Sequence, residues 1–139
     1  MKRALFLVWL VVIAGATTLP WSNYVGHSHW GHVRWIPFRD DPLKMGDLAL
    51  NVILFMPFGF LLWQADTVVS PVRMAVWTLV FSAILSLGGE FFQVYCHNRF
   101  PSATDVCTNI LGAELGFLVR WWIEAKSANG SGSSVPRDR

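Results

Sequence analysis

The chain has 139 residues, 53% of them hydrophobic and only 14% charged, with a net charge of +2 and a mean hydropathy of +0.41. A soluble domain carries nearer a quarter charged residues, and the absence of any basic patch removes the electrostatic footprint of a nucleic-acid partner. What remains is a small membrane protein. Four apolar runs, near 4–19, 48–64, 72–95 and 104–123, approach the roughly 20 residues that a bilayer about 30 Å thick asks of a helix.

The first run follows Lys2 and Arg3 and ends near Ala14-Gly15-Ala16. That is also the pattern of a cleavable leader; the membrane character of the rest of the chain favours a retained helix. A long connection follows, from Pro20 to about Asp47. It holds Trp30, Trp35, His27, His29, His32 and the charge cluster Arg39-Asp40-Asp41, and it either lies on the membrane surface or folds back over the helix ends. The histidine spacings fit no compact ligand set on a helix, so neither a metal nor a cofactor is expected.

The second run carries Asn51 near its start and Pro57 and Gly59 near its middle. Proline removes one helical hydrogen bond and tends to kink the helix. Neighbouring helices can simply tolerate the kink, or the kink can open a pocket near Asn51. On the third run Ser82, Ser86, Glu90, Gln93 and His97 follow three- and four-residue steps, which set them on one side of a helix.

Arg99 stands in the short link that follows. Cys96 and Cys107 bracket it, either as a disulfide, which an extracytoplasmic corner permits, or as free thiols. The fourth run places Asp105, Asn109, Gly112 and Gly116 on one stripe. Small residues at that spacing let helices approach closely, here the fourth against the second or third. Glu114 falls on the opposite side, where a lone carboxylate suggests an oligomer contact or a water-filled crevice. From Ser127 onward the chain reads as a flexible tail.

With both termini cytoplasmic, Lys2, Arg3, Arg73, Arg120, Lys126, Arg137 and Arg139 lie inside and Arg34, Arg39, Lys44 and Arg99 outside, a modest positive-inside bias. Trp21, Trp63, Trp77, Trp121 and Trp122 fall at predicted helix ends, as an interfacial belt requires. The expectation is therefore an all-α, multi-pass bundle of four transmembrane helices over residues 1–126, with a tail over 127–139.

In this arrangement Asn51, Glu90 and Asn109 reach a similar depth, at about 1.5 Å rise per residue, on the outer side. Polar groups at bilayer depth are costly unless paired and usually mark a site or a packing contact. Packing alone would have Arg99 pair with Glu90 or Asp105 and the amides bond across the bundle. A ligand site would instead use them as the rim of one outward-facing pocket.

The segments Asn51-Val-Ile-Leu-Phe-Met-Pro57-Phe-Gly59-Phe-Leu-Leu, Ser86 with Glu90-Phe-Phe-Gln93, Arg99, Asp105 and Asn109-Ile-Leu-Gly112-Ala-Glu-Leu-Gly116 resemble the VanZ-like membrane protein family over about 51–118. The first helix and the following loop match only in character. The resemblance implies a bacterial inner-membrane protein of about four helices, in a family named for a protein associated with resistance to the lipoglycopeptide teicoplanin. It singles out Asn51, Pro57, Gly59, Glu90, Gln93, Arg99, Asp105, Asn109 and Gly112. Glu114 departs from the family's usually small or apolar residue, and Cys96, His97 and Cys107 lie outside its pattern.

The leading functional expectation is a binder of membrane lipid or a lipid-linked envelope ligand. Arg99 would meet an anionic group, since a guanidinium fork suits phosphate and carboxylate, and Asn51, Gln93 and Asn109 would orient it. One alternative is an enzyme using Glu90 and Asp105 as acid and base on a lipid or lipid-linked glycan. The other is a structural subunit, as a homo-oligomer or in an envelope complex, suggested by Glu114 and the glycine stripe.

Overall fold

The computed structural model describes residues 2–40, 44–63 and 69–131. Asp41, the last position of the 48–64 run and residues 132–139 lie outside them. Four α-helices follow one another: α1 (Lys2–Thr18), α2 (Met45–Leu62), α3 (Pro71–Gln93) and α4 (Ala103–Ser131). Two short 3₁₀ turns, Trp21–Asn23 and Trp30–His32, interrupt the first loop. The described residues form no strand, only two isolated bridges.

Three helical segments are long and apolar enough to cross a membrane: Arg3–Asn23, Met45–Leu62 and Pro71–Gln93. Helix α4 is longer but carries Asp105, Glu114, Arg120, Glu124 and Lys126 along its length. It also continues through Ser131, so the segment after Lys126 begins as helix rather than as tail. Helix α3 starts where local chemistry dictates, with Pro71 in its first turn and the Ser70 hydroxyl accepting from the Arg73 N–H at 3.4 Å.

The most extensive pairing is α2 on α4, and glycine makes it. A Cβ at Gly59 would run into the Ala113 carbonyl, one at Gly112 into the Val52 carbonyl, and one at Gly116 into the Met56 carbonyl. The two backbones therefore touch directly. The expected stripe is real, and its partner is α2. Helix α2 runs through Pro57 without a break. Trp9 of α1 donates to the Leu54 carbonyl at 2.9 Å, beside the Ile53 carbonyl that proline deprives of its helical donor.

Helix α1 closes the bundle by packing Thr17 on Gly89 of α3. It also contributes Ile13 to an apolar core with Phe55, Phe58 and Ala113. Much of the rest of the interior is polar: Thr78, Ser82, Ser86, Thr104, Thr108 and Asn109 are all buried. Thr78 and Ser82 return their hydroxyls to carbonyls of their own helix, those of Met74 and Leu79. The outer surface is the reverse, with Val11, Ile53, Ile84 and Leu118 exposed. Small hydroxyl residues inside and branched aliphatics outside is the distribution of a bundle solvated by lipid.

At the end of the bundle away from the first loop, Trp63 donates to Glu124, which also pairs with Arg120. Arg120 lies over Phe60, 5.5 Å from the ring centre. The two cysteines are free thiols, Cys96 buried and Cys107 exposed; the disulfide allowed by the sequence is not formed.

Because the Met56 carbonyl leaves no room for a side chain on α4, Gly116→Val should cost at least the about 1–3 kcal/mol of an overpacked core. Gly46→Ala, with nothing within 4 Å of its added carbon, should be close to neutral. Thermal unfolding of both variants in detergent micelles checks this.

Candidate functional site: a roofed groove at the loop end of the bundle

The first loop is not free chain. It is laced backbone to backbone onto the α3–α4 link: the N–H groups of Val25, His29 and His97 donate to the carbonyls of Tyr95, Val94 and Asn23 at 3.0, 2.8 and 2.7 Å. Further along, Arg34 N–H donates to the Pro101 carbonyl at 2.8 Å and Ala103 N–H to the Arg34 carbonyl at 3.0 Å. Gly26 supplies the left-handed turn, φ 72°, that lets the loop reverse. Of the two placements open from sequence, the loop takes the second and folds back over the helix ends.

The six expected ligand residues do gather at this end, but most of them bond the protein to itself. Asn51 of α2 donates to the Asp105 carboxylate of α4 at 2.7 Å. Asn109 of α4 donates to the Ser86 hydroxyl of α3 at 2.9 Å, with its buried Oδ1 left unpartnered. Gln93 of α3 donates to the Thr17 carbonyl of α1 at 3.3 Å. Arg99 donates to the Leu19 carbonyl at 2.6 Å, rather than to Glu90 or Asp105. Glu90 accepts the Ser102 N–H at 2.7 Å and so fixes the entry to α4. Read in order, these bonds tie α2 to α4, α4 to α3 and α3 to α1.

Of the six, Glu90 also lines the groove that lies beside them. This groove holds about 610 Å³, within the size range of small-molecule sites. Its floor is α3 (Leu87, Glu90, Phe91) and the first turns of α4 (Val106, Cys107), and its roof is the first loop. In the roof Trp30 and Trp35 stack with ring centres 6.3 Å apart and planes 8° from parallel, and Trp30 rests on Phe91 at 6.1 Å. Arg34 lines the groove as well, its guanidinium 5.0 Å from the centre of the Phe100 ring.

The walls are otherwise largely apolar and aromatic, with Arg34 and Glu90 supplying one charge of each sign. A second, more open depression of about 700 Å³ lies on the other side of Phe91, among Trp21, Tyr24, Phe92 and Tyr95.

Sequence reasoning missed Trp30, Arg34 and Trp35 as site residues. A cation between two tryptophans was the available signal, but nothing local said that the loop would fold inward. His97, too, was placed only on the α3 stripe; it lies past the end of that helix, beside the loop histidines. Among the described residues no three His, Cys, Asp or Glu side chains are set to hold a metal ion. Glu114 is half-buried on α4, and one of its carboxylate oxygens has no hydrogen-bond partner.

Three helices long and apolar enough to cross a membrane, an apolar exterior and a hydroxyl-rich interior are the marks of a membrane protein. The profile of the VanZ/LLP1 family matches residues 4–124, and the chain belongs to that family. No curated protein matches the chain, nor does any solved structure.

If the belt is an interhelical tie, Asn51→Ala and Asp105→Ala should each destabilise the protein. The double variant should lose less than the sum, by a coupling of about 0.6–2 kcal/mol. A double-mutant cycle on thermal unfolding measures that coupling directly.

Proposed function

We propose that this VanZ-like protein spans the bacterial inner membrane with four helices and both termini in the cytoplasm. In that orientation the roofed groove faces outward, and it binds a lipid or lipid-linked envelope ligand. The observation that carries the reading is the groove itself, about 610 Å³, largely apolar, with Arg34 and Glu90 as the charged groups at its wall. An acyl or prenyl chain fits the apolar walls, and an anionic head group suits a guanidinium. The reading moves the anion-binding role from Arg99, which does not line the groove, to Arg34, which does. Asn51, Gln93 and Asn109 become the frame that holds the groove open rather than its ligands.

A lipoglycopeptide such as teicoplanin also carries an acyl chain, and the same groove is where such an antibiotic would be met. That is the form in which a link to resistance follows from this chain. The catalytic alternative rests on Glu90, the carboxylate at the groove wall. Asp105 does not line the groove and is bonded to Asn51.

Lipid extracted from protein purified in mild detergent and identified by mass spectrometry provides the test. Wild type should retain a defined anionic or lipid-linked species in stoichiometric amount. Leu87→Trp, which fills the groove from a position already exposed, should lose that species while keeping its melting temperature. Equal retention by the two proteins would overturn the reading. Glu90→Gln should keep the lipid, because the amide oxygen can still accept the Ser102 N–H, whereas an acid-base enzyme would lose turnover with the same change.

A further inference from the structure

The chain has four histidines; three of them, His27, His29 and His97, meet at one point, and His32 stacks on His29 beside them. His27 and His29 have ring centres 4.6 Å apart, His29 and His97 5.1 Å, His27 and His97 5.8 Å, and His29 and His32 5.4 Å. Three belong to the first loop and His97 belongs to the α3–α4 link, so the cluster straddles the seam that the backbone bonds lace together. Its neighbours hold it in register: His27 Nδ1 lies 3.3 Å from the Val25 carbonyl and His29 Nδ1 3.3 Å from the Val94 carbonyl. His32 rests on Phe100 at 5.5 Å, and Phe100 is the ring under Arg34.

We propose that the four histidines form a proton-sensitive clasp that holds the first loop over the groove at neutral pH and releases it in acid. The proposal rests on the groove's being the ligand site. Histidine is the side chain whose ordinary titration falls between about pH 5 and 8. Uncharged imidazoles can stack on one another as they do here; protonated ones become like charges at ring-contact distance.

Among the described residues no carboxylate is hydrogen-bonded or ion-paired to any of the four rings. The acidic groups of the adjoining elements are bonded elsewhere: Glu90 of α3 to Ser102, Asp105 of α4 to Asn51, and Asp40 of the loop to the Ile36 N–H. Moving the loop away separates the charges. Since Trp30 lies between His29 and His32, and Arg34 and Trp35 follow directly after, and these three form the roof, release of the clasp opens the groove.

The protein carries its own reporter. Cys96 is 3% exposed and sits in the clasp, bridged to Tyr24 of the loop, while Cys107 in the groove is already exposed. Labelling by a dithiodipyridine reagent, which reacts with thiols in acid, is followed at each cysteine, with Cys107 as the internal reference for reagent and thiol chemistry.

The ratio of Cys96 to Cys107 labelling should rise about tenfold between about pH 7.5 and pH 5.5, as expected of a local opening. It should stay flat across that range in His29→Gln/His97→Gln. A Cys96 that stays protected in wild type at the acid end overturns the clasp, as does an unchanged rise in the double variant. Lipid retention measured at neutral pH tests the groove independently, so failure of the ligand reading and failure of the clasp are separable.

Discussion

Direct backbone contact between α2 and α4 is the constraint on which the rest of this structure depends. In lipid there is no hydrophobic gain from burying one aliphatic side chain against another, so close helix pairing comes from packing and interhelical hydrogen bonds. Gly59, Gly112 and Gly116 permit that packing by offering no side chain where the Ala113, Val52 and Met56 carbonyls lie. The register they impose sets Asn51 opposite Asp105. It also fixes where α4 begins, and therefore where the α3–α4 link must pass and what the first loop can rest on.

The polar belt follows from the same economy. Asn51, Gln93 and Asn109 each donate to a neighbouring helix, Glu90 accepts from the entry to α4, and together these ties link the four helices. Backbone groups obey the same demand. A loop crossing the helix ends near the bilayer has little water to satisfy its N–H and C=O groups, and this one meets the need by pairing with the link. The groove is what remains beside the belt once the loop has been drawn inward as a roof.

The helices were legible from sequence because long apolar runs and their flanking prolines and charges are local signals. The expected runs at 72–95 and 104–123 became α3 (Pro71–Gln93) and α4 (Ala103–Ser131), and the glycine stripe and buried face of α3 followed from helical periodicity. The partners of the polar residues were not legible. A one-dimensional pattern places Asn51, Glu90 and Asn109 at one depth, with Gln93 on the same helix face as Glu90 and Arg99 in the link, but it does not say whether each faces a cavity or a neighbour. That depends on the helix rotations the glycine seam sets and, for Arg99, on a carbonyl 80 residues away in the chain. The inward fold of the first loop was hidden for the same reason, and with it Trp30, Arg34, Trp35 and the meeting of His97 with the loop histidines.

The position of the groove bears on how a ligand would reach it. Leu87 and Phe91 line it and are also 56% and 55% exposed on the outer face of α3, where the bundle presents aliphatic and aromatic side chains to its surroundings. The groove wall is thus continuous with the surface that faces acyl chains. An amphiphile already in the outer leaflet could slide its chain in from the side, leaving only its head group to pass Trp30 and Trp35. Entry from water would instead require desolvating a long apolar chain first, a cost of about 0.8 kcal/mol per methylene. For the ligand proposed above, lateral entry would avoid that cost, and it would make the aromatic roof, rather than the polar belt, the element that selects by head group.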